Sequence, residues 1–136
     1  MSEYKFSIPV KVRIMDINYG NHVSYAYYFL YFHDARIEYF TNLGFSEMNL
    51  GGCGIIITEA NCKYKKELIL GDELIIKCKI SNIRSKGFDM NYVIERDNVI
   101  CAEGTTSILC FDYENKKAMG VPEIFLKAVK KFEEIS

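Results

Sequence analysis

One stretch constrains this chain more than any other. Tyr25, Tyr27, Tyr28, Phe29, Leu30, Tyr31 and Phe32 crowd the first two turns of a predicted helix and leave it no polar face. A helix that is apolar all round belongs in a core. Ser24 stands before it as an N-cap, and Gly44 supplies the stop after about Leu43. The second half is amphipathic: Ile37, Phe40 and Leu43 have core spacing, while Glu38, Thr41 and Asn42 are left to face water. The first half is therefore expected to be the better buried.

The rest of the chain supplies the cover. Tyr4 to Met15 alternates as a first strand, with Pro9 indicating an edge position or a bulge. After a glycine-rich loop (Gly51, Gly52, Gly54) come four further strands: Ile55 to Tyr64, Glu73 to Ile83, Phe88 to Arg96 and Val99 to Phe111. In the third of these, Phe88, Met90, Tyr92 and Ile94 face one way while Asp89, Asn91 and Glu95 face the other. Short turns at Ser85 to Gly87 and at Asp97 and Asn98 make consecutive strands antiparallel neighbours. Val121 and Pro122 lead into a last helix, Pro122 to Glu134, with Phe125, Val129 and Phe132 on one stripe. The expectation is an α+β fold: a five-stranded antiparallel sheet wrapped around one long helix, with a short C-terminal helix. No repeat or linker divides the chain, so residues 1–136 read as a single domain.

A net charge of −1 gathers neither nucleic acid nor an anionic membrane surface, so neither is an expected partner. The opening MSEYKFSIPVKVRI has no hydrophobic signal-like run, and no apolar stretch is long enough to span a bilayer, which implies a cytoplasmic location. The five cysteines form no CxxC pair and read as reduced core residues. The two histidines, His22 and His33, have no cysteine at ligand spacing, so no metal site is expected.

Between the first strand and the helix lies the chemistry. Asp16 to Val23 is a loop, because Asn18, Gly20 and Asn21 are turn formers, and it carries Asp16, Asn18 and His22 to a helix N-terminus. The first helical N–H groups have no intrahelical partner and lie at the positive end of the dipole, where they can polarise an acyl carbonyl. Each candidate also has a plainer role. His22 has the proton affinity of a general base, or it closes the turn by hydrogen-bonding backbone. Asp16 can orient His22 or Asn18, or pair with Arg36. Asp34 on the helix and Glu59 in the second strand are the reserve carboxylates. Tyr25, Tyr27, Tyr28 and Tyr31 either line an acyl pocket or simply pack in the core.

Asp16, Asn18, His22 and Val23, followed by Tyr28, Phe32, Ala35 and Arg36, resemble the loop and helix signature of the hotdog-fold acyl-CoA thioesterases of the 4-hydroxybenzoyl-CoA thioesterase type. The run TEANCKYKKELILGDEL and the Val121-Pro122 pair extend that resemblance over nearly the whole chain. It implies hydrolysis of an acyl-CoA or acyl-carrier thioester without a cofactor, at a site formed between subunits of a homodimer or homotetramer. It also implies that the Tyr25 N–H polarises the thioester carbonyl, that Asn18, His22 and Asp16 serve the attacking water, and that Arg84 and Lys86 meet coenzyme A phosphates. One position departs from the pattern: Asn18 stands where that family's nucleophilic or basic Asp lies. An amide cannot take a proton from water, though it can position water or bond a thioester oxygen. Two other readings remain open: a hotdog hydratase or dehydratase, from whose D-x-N-P-x-H loop this chain differs in the placing of His22 and the missing proline, and a non-catalytic acyl-CoA binder.

Overall fold

The computed structural model describes residues 4–136, so Met1, Ser2 and Glu3 of the opening stretch lie outside the described residues. Strand β1 (Phe6–Lys11) is followed by a 3-10 turn (Ile14–Asp16), helix α1 (Tyr25–Asn42) and strands β2 (Gly54–Tyr64), β3 (Glu73–Ser81), β4 (Gly87–Arg96) and β5 (Val99–Asp112). A two-residue strand β6 (Lys117–Ala118) and helix α2 (Glu123–Glu133) complete the chain. The strands are antiparallel in the order β1-β3-β4-β5-β2, with β6 appended to β5. This is the hotdog arrangement, with the sheet curled around α1. Pro9 sits on edge strand β1, as a residue without an N–H should.

β1 is shorter than its alternation predicts. Its ladder ends at Lys11, where the Val12 N–H turns to the Asp72 carbonyl at 2.9 Å, and the Asp16 carboxylate accepts the Arg13 N–H at 3.1 Å to close the 3-10 turn. Ile14 and Met15 are left exposed.

Helix α1 lies directly on the sheet. The Phe32 ring stacks on Tyr92 with centroids 4.6 Å apart. Gly104 of β5 makes this approach possible, because a Cβ there would lie 2.4 Å from Phe32 Cε2 and 2.6 Å from the Asn61 carbonyl oxygen. At the other end Tyr39 and Phe40 are fully buried under α2, with Tyr39 against Phe132 at 5.6 Å and Phe40 against Phe125 at 5.7 Å. The reading of the first two turns as apolar core needs correction. Tyr28, Tyr31 and Phe32 are buried, yet Tyr25 is 72% exposed and Leu30 48%. Ile37, given core spacing by the sequence, is also exposed. Leu30 and Ile37 share one side of the helix, and Tyr25 lies on another at the helix head, so the apolar residues of α1 are not all in the core. All five cysteines are free thiols, and only Cys62 lies outside the buried set.

Candidate active site

The loop before α1 is built by local hydrogen bonds. The Asn18 Oδ1 accepts the Gly20 N–H at 2.9 Å, Asn18 N–H donates to the His22 carbonyl at 3.0 Å, and Asn21 adopts a left-handed φ of 67°. Ile17 bridges to Val23, and the Ser24 N–H donates to the Asp16 carbonyl at 3.1 Å. The loop thereby folds back on itself and delivers the chain to Tyr25. A second segment runs alongside: the Val23 N–H donates to the Leu68 carbonyl at 2.8 Å, and Tyr28 Oη donates to the Lys66 carbonyl at 3.4 Å.

Between loop and segment lies a cleft of about 380 Å³, lined by Asn18, His22, Val23, Tyr25, Tyr28, Tyr64, Lys65, Lys66 and Glu67. Ser24 occupies the N-cap position, but its side chain makes no capping hydrogen bond. No described group accepts the Tyr25 N–H, and Tyr25, the first residue of an 18-residue helix, lines the cleft. The Tyr25 carbonyl is held by Tyr64 Oη at 3.0 Å, and the Tyr64 and Tyr28 rings meet edge to face at 4.7 Å. Burial pushes the Tyr28 phenol up to about 12, so it stays a protonated donor.

Three of the residues singled out by sequence, Asn18, His22 and Tyr25, therefore share one cleft. Asp16 does not reach it. Fully buried, its carboxylate accepts Tyr31 Oη at 2.8 Å and lies 3.3 Å from Arg13 Nη2. The partner considered for it, Arg36, instead meets Glu47 at 2.6 Å and Tyr92 Oη at 3.1 Å. Asp34 lines a separate hollow of about 500 Å³ with Ile8, Pro9, Val10, Ile37 and Glu38. That hollow is larger, but its helical part, Asp34 to Glu38, lies in mid-helix, where the amide groups are bonded within the helix, and no helix start opens there. Glu59 is exposed on β2 and outside the cleft.

Arg84 and Lys86 are not on the cleft. Arg84 pairs with Asp89 at 2.9 Å across the β3–β4 turn. Burial alone would push the Asp89 pKa up, but hydrogen bonds from Arg84, Asn82 and Ser107 outweigh it and hold the carboxyl below its usual range. Arg96, at the far end of β4, donates to the Glu67 carbonyl at 2.9 Å. The ten residues of β4, roughly 30 Å at 3.3 Å each, thus separate Arg84 from the cleft of its own chain. The basic residues on the cleft are Lys65, which pairs with Glu103 at 2.7 Å, and Lys66. Sequence reasoning passed over this segment. Its signal is the polar run Lys65-Lys66-Glu67, which interrupts the apolar pattern between Tyr64 and buried Leu68.

The sheet wrapped around one long helix, with an open cleft at that helix's head, is the architecture of a hotdog-fold protein. The chain belongs to the thioesterase-like superfamily, whose family model matches residues 12–129. It is 24% identical over 126 residues to the acyl-CoA thioesterase YbgC of Haemophilus influenzae, covering 90% of this chain and 93% of that one. With the long-chain acyl-CoA thioesterase FadM of Escherichia coli it shares 24% identity over 115 residues, 82% of this chain and 87% of the other. A solved thioesterase from Thermus thermophilus, complexed with coenzyme A and Zn, has the same fold, with a TM-score of 0.88 at 19% identity over 100% of this chain and 99% of that one. Among the described residues of this chain, no three His, Cys, Asp or Glu side chains cluster as a metal site would require.

Proposed function

We propose that the protein hydrolyses acyl-CoA thioesters in the cleft between the Asp16–Val23 loop and the Tyr64–Glu67 segment, with water as the nucleophile. The observation that carries this reading is the Tyr25 N–H, which has no partner and belongs to a residue that lines that cleft. As water attacks the thioester carbon, charge moves to the carbonyl oxygen, and a donor already aimed there needs no reorganisation to stabilise it. The Asn18 Oδ1 is committed to Gly20, which leaves its amide NH₂ to hold the attacking water beside His22. Asp16 acts from behind: buried between Arg13 and Tyr31, it fixes the loop on which Asn18 and His22 sit.

The protein works as a homodimer or homotetramer in the cytoplasm. Of the two sheet edges, β1 is six residues long and carries Pro9, whereas β2 has eleven residues and no proline. Antiparallel pairing of two β2 edges covers that exposed ladder. It sets the cleft, at the Tyr64 end of β2, beside the Gly54 end of the partner's β2. The β3–β4 turn lies at that Gly54 end, since Gly87 and Ile56 both face Leu109. Arg84 and Lys86 then approach coenzyme A phosphates across the dimer, while Lys66 does so from within. Among the described residues no helix is long and apolar enough to cross a membrane.

The experiment is thiol release from short, long and aromatic acyl-CoAs. Turnover by the wild type on at least one of them is expected, with a modest loss in His22→Ala, whose imidazole flanks the attacking water, and retained or raised activity in Asn18→Asp. Binding of acyl-CoA with no thiol released would contradict the reading.

A further inference from the structure

Hydrolysis requires a group that takes a proton from the attacking water, and the loop does not provide one. Asn18 is an amide, and Asp16 is buried away from the cleft. The His22 imidazole lies along its own loop. Its Nδ1 is 3.5 Å from the Val23 carbonyl, and its Nε2 faces Gly20, where a Cβ would lie 3.2 Å from both that nitrogen and Asn18 Oδ1. One residue that lines the cleft nevertheless carries a carboxylate: Glu67.

Glu67 is held by its backbone and free at its side chain. Its carbonyl accepts Arg96 Nη1 at 2.9 Å, and the next residue, Leu68, is fully buried and bonded to the Val23 N–H. Its carboxylate has no hydrogen bond or ion pair with another described residue. Two of the nearby cations are engaged elsewhere: Lys65 pairs with Glu103 and Arg96 with Asp72. The remaining charged or titratable groups around it are His22, Lys66 and the cleft tyrosines.

We propose that Glu67 is the general base of this cleft; the inference rests on the thioesterase reading above. The Glu67 carboxylate accepts a proton from water as the water oxygen bonds to the thioester carbon, and the carbonyl π pair moves onto the oxygen held by the Tyr25 N–H. Collapse of the tetrahedral species reforms the carbonyl and breaks the C–S bond. The departing thiolate recovers the proton from the Glu67 carboxyl, so that one thioester and one water yield one acid and one thiol.

The test compares wild type, Glu67→Gln, and Glu67→Gln combined with Asn18→Asp, by thiol release from the best acyl-CoA of the panel over pH 5 to 9. Glu67 is exposed, so folding of each variant is checked simply by circular dichroism. Glu67→Gln is expected to lower kcat at least tenfold with KM within about twofold. Asn18→Asp, returning a carboxylate to the same cleft, is expected to restore much of the rate. Glu67→Gln at wild-type kcat, or a change confined to KM, would overturn the base assignment while leaving the thioesterase reading intact. A wild type inactive on every substrate would overturn both.

Discussion

The first turn of α1 is richer in aromatic residues than its last two turns, yet it is the later rings that are the better buried. Tyr39 and Phe40 are fully buried against α2 and β1, with Phe6, Phe125 and Phe132 at ring distances of 5.5 to 5.7 Å. Tyr25, at the helix head, is 72% exposed and lines the cleft. What separates them is cover. The amphipathic α2 is laid over one end, whereas the other has only the extended segment after β2, which stands off far enough to leave a cleft. Aromatic content alone does not mark a core, since a ring stabilises the fold only where a second element removes it from water.

That contrast can be broken in several ways. Phe40→Ala should cost about 3–5 kcal/mol in urea unfolding, because it empties a site closed on all sides. Gly104→Ala should be nearly as damaging, since Phe32 and the Asn61 carbonyl both lie inside the radius of the added methyl, and its midpoint should fall well below the wild type's. Tyr39→Phe removes the hydroxyl that donates to the buried Glu133 carboxylate and should cost about 1–3 kcal/mol. Tyr25→Ala, by contrast, should change stability by no more than about 0.5 kcal/mol. Equal losses for Phe40→Ala and Tyr25→Ala would erase the distinction between the two ends.

Alkaline pH sharpens it further. Burial pushes the Tyr28 phenol up to about 12, and burial together with carboxylate partners raises Tyr31 and Tyr39 too. A phenol that ionises near pH 10 when unfolded but higher when folded contributes its full stabilisation below about pH 10. That contribution is lost as pH rises through the folded values. The unfolding midpoint should therefore hold to about pH 10 and fall steadily beyond it.

Much of this architecture was legible in local pattern. Alternation in Phe88 to Ile94, the turns at Ser85 to Gly87 and Asp97-Asn98, and the stripe of the last helix appear where the sequence places them. Non-local pairing was not legible. β2 lies beside β5 and not β3, and β1 beside β3, because the sheet closes around a helix that intervenes in sequence, and no turn chemistry encodes that choice. At the site, the loop residues were found because turn formers before a helix have a distinctive spelling. The tight Arg13–Asp16–Tyr31 arrangement escaped, since Tyr31 lies fifteen residues away and one face round the helix. Lys65, Lys66 and Glu67 escaped because cleft membership depends on the Val23–Leu68 contact, which brings two distant segments side by side.

The Tyr25 N–H, proposed to hold the developing oxyanion, can be removed by a single substitution. Tyr25 is the first helical residue, where proline fits, and Ser24 before it has the extended backbone (φ −60°, ψ 138°) that a following proline requires. Thiol release by Tyr25→Pro, set against Tyr25→Ala to account for the lost ring, should fall about 100- to 1000-fold in kcat with the fold intact. Activity in Tyr25→Pro equal to that of Tyr25→Ala would contradict the account.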